Sequence, residues 1–245
     1  MEEPFLRRAG VTLPEIVVGL VLAGFLVVIG GRLLEKQGEG IRAVAETVES
    51  LQAERLARWV LGREVRTGTT GRDWQVAGDG SLPLRAFRGF AVPCNSETLS
   101  GETPVRYVGR RTPDPEKDSV LLLGTDGAWR GRALETARRW GSGERGGSGE
   151  CPGPDGGRLE VWSVSSAAGD WVLARLFERG EYHLNDGALR YRRGEGGRQP
   201  LVPEVFGPGS RFLGEGEGLS VEVHLNLPLD GGDEGGVRRW RVRPP

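Results

Sequence analysis

Two hydrophobic patterns follow each other in the first quarter of the chain. Residues 11–31 form an apolar run, VTLPEIVVGLVLAGFLVVIGG, whose only charge is Glu15. As a helix, this run spans about 30 Å, which is enough to cross the hydrocarbon core of a bilayer. A second apolar pattern recurs at helical spacing and predicts a face that lies against a sheet. Its members are Ile41, Val44, Ala45, Val48, Leu51, Leu56 and Trp59.

These patterns predict one long helix over residues 11–66, with its first part inserted in a membrane. Glycine is a poor helix former, so we expect the helix to bend or unwind locally where the two patterns meet. The glycines concerned are Gly30, Gly31, Gly38 and Gly40.

After residue 67 the pattern changes to short segments of β type separated by Gly, Pro and Asp turns. The candidate strands are 87–92, 105–108, 119–123, 159–164, 171–177, 182–184, 189–192, 219–227 and 237–242. The dipeptide Asp186-Gly187 between alternating residues predicts a two-residue hairpin turn. We therefore expect an α+β fold, in which the long helix packs on an antiparallel, β-rich domain spanning residues 67–245.

Composition narrows the function classes. The 41 glycines and 15 prolines agree with a β-rich domain that has many turns. The 33 basic and 34 acidic side chains are mixed along the chain, and no basic stripe predicts a nucleic-acid partner. The chain carries no recognisable P-loop, nucleophile elbow or histidine-rich metal motif, so we expect neither an enzyme nor a cofactor.

Two cysteines and two histidines are too few for the usual structural zinc site. If the chain is exported, Cys94 and Cys151 are expected to form one disulfide bond, and the alternative is two free, buried thiols. Asp230, Asp233 and Glu234 are weak calcium candidates. Their spacing does not fit an EF-hand, and a solvated acidic turn is the favoured interpretation.

Three interpretations compete for the N-terminal segment. A secretory signal peptide requires a small-residue cleavage site after the apolar run, and none is evident. A plain membrane anchor leaves the carboxylate of Glu15 unexplained, although an acidic group inside such a segment is costly. The third interpretation uses the whole segment. Arg7-Arg8-Ala9-Gly10, followed by Val11-Thr12-Leu13-Pro14-Glu15 and an apolar helix, resembles the class III signal of type IV prepilins and pseudopilins.

The resemblance implies a role for each residue of this signal. Residues 1–10 would be a leader that prepilin peptidase removes after Gly10. Val11 would be the first mature residue, with a methylated amine, and Glu15 would pair with the N-terminal amine of a neighbouring subunit. The family more often has Phe at the position of Val11 and an aliphatic residue at that of Pro14. Proline nevertheless suits the first turn of a helix.

The function implied is that of a minor pilin or pseudopilin, assembled into or priming a type IV pilus or a type II secretion pseudopilus. Its partners would be other pilin-like subunits, the prepilin peptidase and the bacterial inner membrane, with the β-rich domain periplasmic or in an extracellular filament. The 182–191 stretch and the element order resemble, more weakly, J-type minor pseudopilins and W-type minor pilins. The alternative is a single-pass, membrane-anchored β-rich binding protein similar to an adhesin. The choice among type II secretion, type IV pili and DNA uptake stays open.

Overall fold

The computed structural model describes residues 13–78, 80–94, 101–141, 151–152, 156–165, 170–216, 218–225, 227 and 236–243. Several residues singled out above lie outside these ranges. They are Gly10, Val11, Asp230, Asp233 and Glu234.

The first element is a single helix, α1, which runs from Leu13 to Arg66. Its 54 residues make it about 80 Å long. The predicted interruption at the four glycines is wrong, because α1 continues through all of them. Glycine keeps its backbone N–H and C=O, so it weakens a helix by about 1 kcal/mol without breaking the hydrogen-bond ladder. No neighbouring group lies within 4 Å of where a Cβ would stand at these positions, so nothing in the described fold forces a bend there.

The helix docks on the rest of the protein only through its last five turns. The residues that it buries are Ser50, Ala53, Ala57, Leu61, Gly62 and Val65. This is not the face that the sequence pattern predicted, because Ile41, Val44, Val48, Leu56 and Trp59 are all exposed. Most residues of the docked face are small, so the helix backbone approaches the sheet closely. At Gly62, an added Cβ would lie 4.0 Å from a methyl group of Val242.

Eleven strands follow α1 in the described part of the chain. They are β1 Ser81–Pro93, β2 Glu102–Gly109, β3 Asp118–Gly124, β4 Trp129–Arg139, β5 Arg158–Val164, β6 Trp171–Asn185, β7 Ala188–Arg193, β8 Arg198–Pro200, β9 Arg211–Glu215, β10 Gly218–Leu225 and β11 Gly236–Val242. The first eight form one antiparallel sheet in the order β1-β2-β5-β4-β3-β6-β7-β8. The strands β9, β10 and β11 form a second sheet with β10 at its centre. The α+β class predicted from the sequence is confirmed.

An additional pairing of β1 with β6 closes six strands of the large sheet into a barrel. The strand β6 is long enough to serve two neighbours on one side, since its first half pairs with β3 and its second half with β7. The β6–β7 hairpin turns at Asp186 and Gly187, both of which have positive φ, as a two-residue turn of this kind requires. The hairpin prediction is confirmed.

Two hydrophobic cores result. The barrel interior holds one of them, which includes Tyr107, Leu134, Trp162 and Leu176. The other lies where α1 and the second sheet cover the ends of β1 and β6, and it includes Leu61, Leu82, Leu189, Phe212 and Trp240. A disulfide bond joins Cys94, just after β1, to Cys151, just before β5, which is the pair expected from the sequence.

Candidate functional site at the N-terminal helix

The first part of α1 is an apolar rod outside the folded domain. Every large hydrophobic residue from Leu13 to Leu34 is exposed. Within the described residues, α1 is the one helix that is long and apolar enough to span a membrane, with a mean hydropathy of 2.4 over its most apolar window. None of that window is buried by the protein itself. Such a segment needs lipid or other helices to cover it.

Glu15 lies in the first turn of this helix. A carboxylate is favourable at that end, because the backbone N–H groups of the first turn carry partial positive charge. The helix that follows Glu15 is nevertheless apolar, since the next charged residue along it is Arg32. The structure thus places Glu15 at the N-terminal end of the apolar rod, whereas Gly10 and Val11 lie beyond the described residues.

The next part of α1 carries an exposed apolar stripe, which we define as Ile41, Val44, Val48 and Trp59. Ile41 is 70% exposed and Trp59 is 60% exposed. With 100° between successive residues, Ala57 and Leu61 each point about 160° away from Trp59. The exposed apolar stripe therefore points away from these two docked residues. It leaves apolar side chains of α1 uncovered by the domain that the helix carries.

The junction between α1 and the barrel contains a charge network that the sequence patterns did not predict. Its centre is Arg88, which donates from Nη1 to Glu64 Oε1 of α1 at 2.8 Å. Arg88 also donates from Nε and Nη2 to Glu178 Oε1, at 2.9 and 2.8 Å. The β1–β6 register shifts between Phe87 and Gly89, so Arg88 lies in a bulge. A bulge of this kind re-aims a side chain, and here it brings the guanidinium to the helix.

The second carboxylate of this network, Glu178, lies on β6 between the two hydrophobic cores. Its Oε2 accepts from Arg111 at 2.9 Å and pairs with Arg193 at 2.7 Å. Arg111 also binds both oxygens of the buried Asp118. The Tyr191 hydroxyl donates to Glu178 Oε1 at 2.9 Å. Opposite charges therefore alternate from the helix to β3, and each of these buried carboxylates is partnered.

Burial and charge act on the two central carboxylates in opposite directions. Burial raises the pKa of Glu64, and the Arg88 guanidinium opposes only part of that effect. Burial alone would also raise the pKa of Glu178. The positive charge of Arg88 and the hydrogen bonds that Arg88 and Tyr191 donate outweigh burial and hold this pKa below its ordinary value. Glu178 touches three guanidinium groups and Glu64 touches one, and the nearby charge of Glu178 raises the pKa of Glu64 further.

The raised pKa of Glu64 gives a pH-dependent stability of definite sign. The folded state binds the Glu64 proton more tightly than the unfolded state, whose pKa is near 4.5. Relative to a Glu64→Gln variant, the wild type is therefore expected to lose free energy of unfolding as pH rises from below 4.5 through the raised pKa. Urea unfolding of both full-length chains, in non-ionic detergent over a series of pH values, measures this difference. A difference that is constant, or that grows in favour of the wild type with rising pH, contradicts it.

Removing the central guanidinium should be costly. An Arg88→Met variant keeps an unbranched side chain but leaves Glu64 without a cation and Glu178 with one fewer, and breaking a buried ion pair in this way costs about 3–5 kcal/mol. Arg130→Met is the matched control, because its pair with Asp126 is exposed on both sides and solvent screens it, so its loss should cost much less than that of Arg88. Chemical denaturation of both variants gives the two values. Similar losses in the two would show that the network does not hold the helix.

Comparison with known proteins adds no relative: the chain matches no protein-family model, no curated protein and no solved structure.

Proposed function

We propose that this chain is a subunit of a type IV pilin-like filament, a minor pilin or pseudopilin that prepilin peptidase processes. The observation that carries the proposal is the geometry of α1. The helix extends far beyond the domain that it supports, its free part is apolar, and exposed apolar side chains such as Val48 and Trp59 continue along it to the level of the domain. The sequence of residues 7–15 supports the same conclusion through its resemblance to the class III signal.

In this role the chain acts by assembly. Residues 13–34 cover their apolar surface with lipid before assembly and with the helices of other subunits afterwards. The exposed apolar stripe continues that contact surface beyond the membrane, to the level of the domain. Contacts that repeat from head to tail without closing into a ring generate a filament. The β-rich domain is then carried on the outside, and the charge network at Arg88 fixes it to the helix.

A simple membrane anchor accounts for fewer of these features. An anchor needs about 20 apolar residues, and α1 continues for more than 30 residues past that length. An anchor has no use for a carboxylate in its first turn, nor for an apolar stripe turned away from the domain. Both features suit a helix that packs against other helices.

Processing of the N-terminus is the direct test. The full-length chain, expressed with and without an active prepilin peptidase, is analysed by intact-mass spectrometry. The proposal expects a peptidase-dependent chain that begins at methylated Val11. A Gly10→Val variant, which removes the small residue before the cut, should stay uncut. If residues 1–10 are retained when the peptidase is active on a known prepilin, the chain is not a member of this class.

A further inference from the structure

A pocket beside the loop that follows α1 gathers positive charge. It has a volume of about 320 Å³ and lies between the loop 71–75, β1 and β6. Three arginines line it, namely Arg72 from the loop, Arg85 from β1 and Arg179 from β6. Trp74, Pro83 and Leu84 supply apolar surface to the lining of the pocket. The pocket volume is at the lower end of the range for small-ligand sites, about 300–1,000 Å³.

The strands bring two of these cations face to face. Arg85 and Arg179 are direct cross-strand partners in the β1–β6 register. Like charges placed directly opposite each other destabilise a sheet, so the pair is a cost to the fold unless something neutralises it. The Arg85 guanidinium lies 5.4 Å from the centre of the Phe177 ring, and this cation–π contact helps to hold the side chain in place.

The protein itself supplies only part of the neutralisation. Among the described residues, Asp73 is the carboxylate that lines the pocket, and its Oδ1 lies 3.3 Å from Arg85 Nη1. Its other oxygen accepts the backbone N–H of Thr69 at 2.9 Å. Arg72 and Arg179 are exposed and form no side-chain ion pair with any described residue. Three guanidinium groups and one carboxylate leave two positive charges in the pocket.

We infer that this pocket binds the phosphate group of a small ligand. Guanidinium groups pair with the oxygens of phosphate through two parallel hydrogen bonds, and a doubly charged phosphate matches the two unneutralised charges. A bare phosphate does not fill the pocket, so there is space for a small organic substituent against Trp74 and Pro83. This site does not depend on the assembly role of the helix, and either proposal can fail without the other.

Calorimetric titration of the full-length protein in non-ionic detergent tests the site. Inorganic phosphate is the probe, with sodium chloride added to hold the ionic strength constant, because exposed charges are screened by salt. Saturable binding is expected, and Arg179→Gln and Arg72→Gln should each weaken it at least about tenfold. Arg139→Gln is the matched control, since Arg139 is exposed on β4 and does not line the pocket. This control should bind phosphate as the wild type does.

Thermal unfolding gives a second readout that does not depend on the first. Without phosphate, Arg179→Gln should be at least as stable as the wild type, because it removes the repulsion with Arg85. Phosphate should raise the Tm of the wild type and, at the same concentration, raise that of Arg179→Gln by less, since the stabilisation depends on how tightly the ligand binds the folded state.

Three outcomes would overturn the inference. One is the absence of saturable phosphate binding to the wild type. Another is an equal loss of binding in Arg139→Gln, which would mean diffuse attraction to a basic surface. The third concerns the chemistry of the anion. Succinate is a dicarboxylate, and when it is titrated in the same way it should bind at least about tenfold more weakly than phosphate. Binding as tight as that of phosphate would assign the pocket to carboxylates instead.

Discussion

Replacing Val48 and Trp59 together by aspartate is expected to abolish incorporation of the chain into filaments while leaving its fold intact. Both side chains belong to the exposed apolar stripe, and Trp59 is 60% exposed in the isolated chain. The domain therefore loses little by their removal, and the cost to the free energy of unfolding should be about 1 kcal/mol, mainly from the lost contact between the Arg63 guanidinium and the Trp59 ring. In a helix–helix contact the same change buries two carboxylates without partners, which costs several kcal/mol for each.

The measurement is the amount of this chain in sheared filament fractions from cells that lack the wild-type copy. Circular dichroism and denaturation of the purified variant check the fold. Arg58→Asp is the control, because Arg58 is exposed on the same stretch of α1 but points about 100° from Trp59. If the double variant assembles normally, or if Arg58→Asp fails equally, the stripe is not the contact surface.

Replacing Glu15 by alanine is expected to prevent assembly just as completely, for an electrostatic reason. In the proposed filament core, the carboxylate of Glu15 is buried among apolar helices and pairs with the N-terminal amine of a neighbouring subunit. Removing it leaves that amine charged and without its counter-ion, which costs about 3–5 kcal/mol at every such contact. Membrane insertion should be unaffected, because the change makes the segment more apolar.

Two further variants separate this role from a general effect of charge. Glu15→Gln keeps the shape but not the charge, so it should fail as Glu15→Ala does. Glu35→Ala removes an exposed carboxylate beyond the apolar segment and should assemble normally. Filament fractions and membrane fractions are both measured. Normal filaments from Glu15→Ala would disprove the assigned role, and loss of the protein from the membrane would point to an anchoring role instead.

Several strands were predictable because they are buried along most of their length and are therefore rich in apolar residues. The segment 119–123 lies in β3 and residues 219–225 of the segment 219–227 lie in β10, and both strands bury most of their residues. The strand β4 was missed because it buries Leu134 alone among Trp129–Arg139, so its sequence carries almost no apolar signal. The sequence also suggested separate segments at 171–177 and 182–184, whereas β6 runs through both, because it changes neighbours without a turn.

The orientation of α1 could not be derived from periodicity. An apolar stripe shows that a helix has something to cover, but it does not identify the partner. The side that docks on the domain uses small residues such as Ser50 and Ala53, which allow close approach but give a weak hydrophobic signal. The stronger stripe at Val48 and Trp59 faces outward. The sequence pattern predicted that this stronger apolar stripe contacts the β-rich domain of the same chain, and that prediction was wrong.

The charge network could not be predicted from the sequence for a related reason. Glu64 lies on the predicted helix and Arg88 lies in the predicted strand 87–92, and neither position marks the other as its partner. Their contact depends on the bulge between Phe87 and Gly89, whose position follows from the pairing of strands that are distant in the chain. Nothing in the local sequence marks that shift of register. Buried ion pairs formed across such distances are visible only in the folded structure.

The docking of α1 on the second sheet also sets an order of events during biogenesis. The helix is the first element to be synthesised, and the strands beneath Gly62, β10 and β11, are the last. Until the C-terminal end of the chain has been made and has paired, α1 lacks the part of its docking surface that β10 and β11 supply. A chain that stops before β10 keeps the apolar segment of α1 but docks the helix on an incomplete surface. In the proposed filament, only a finished chain would therefore present the exposed apolar stripe on a fully docked helix.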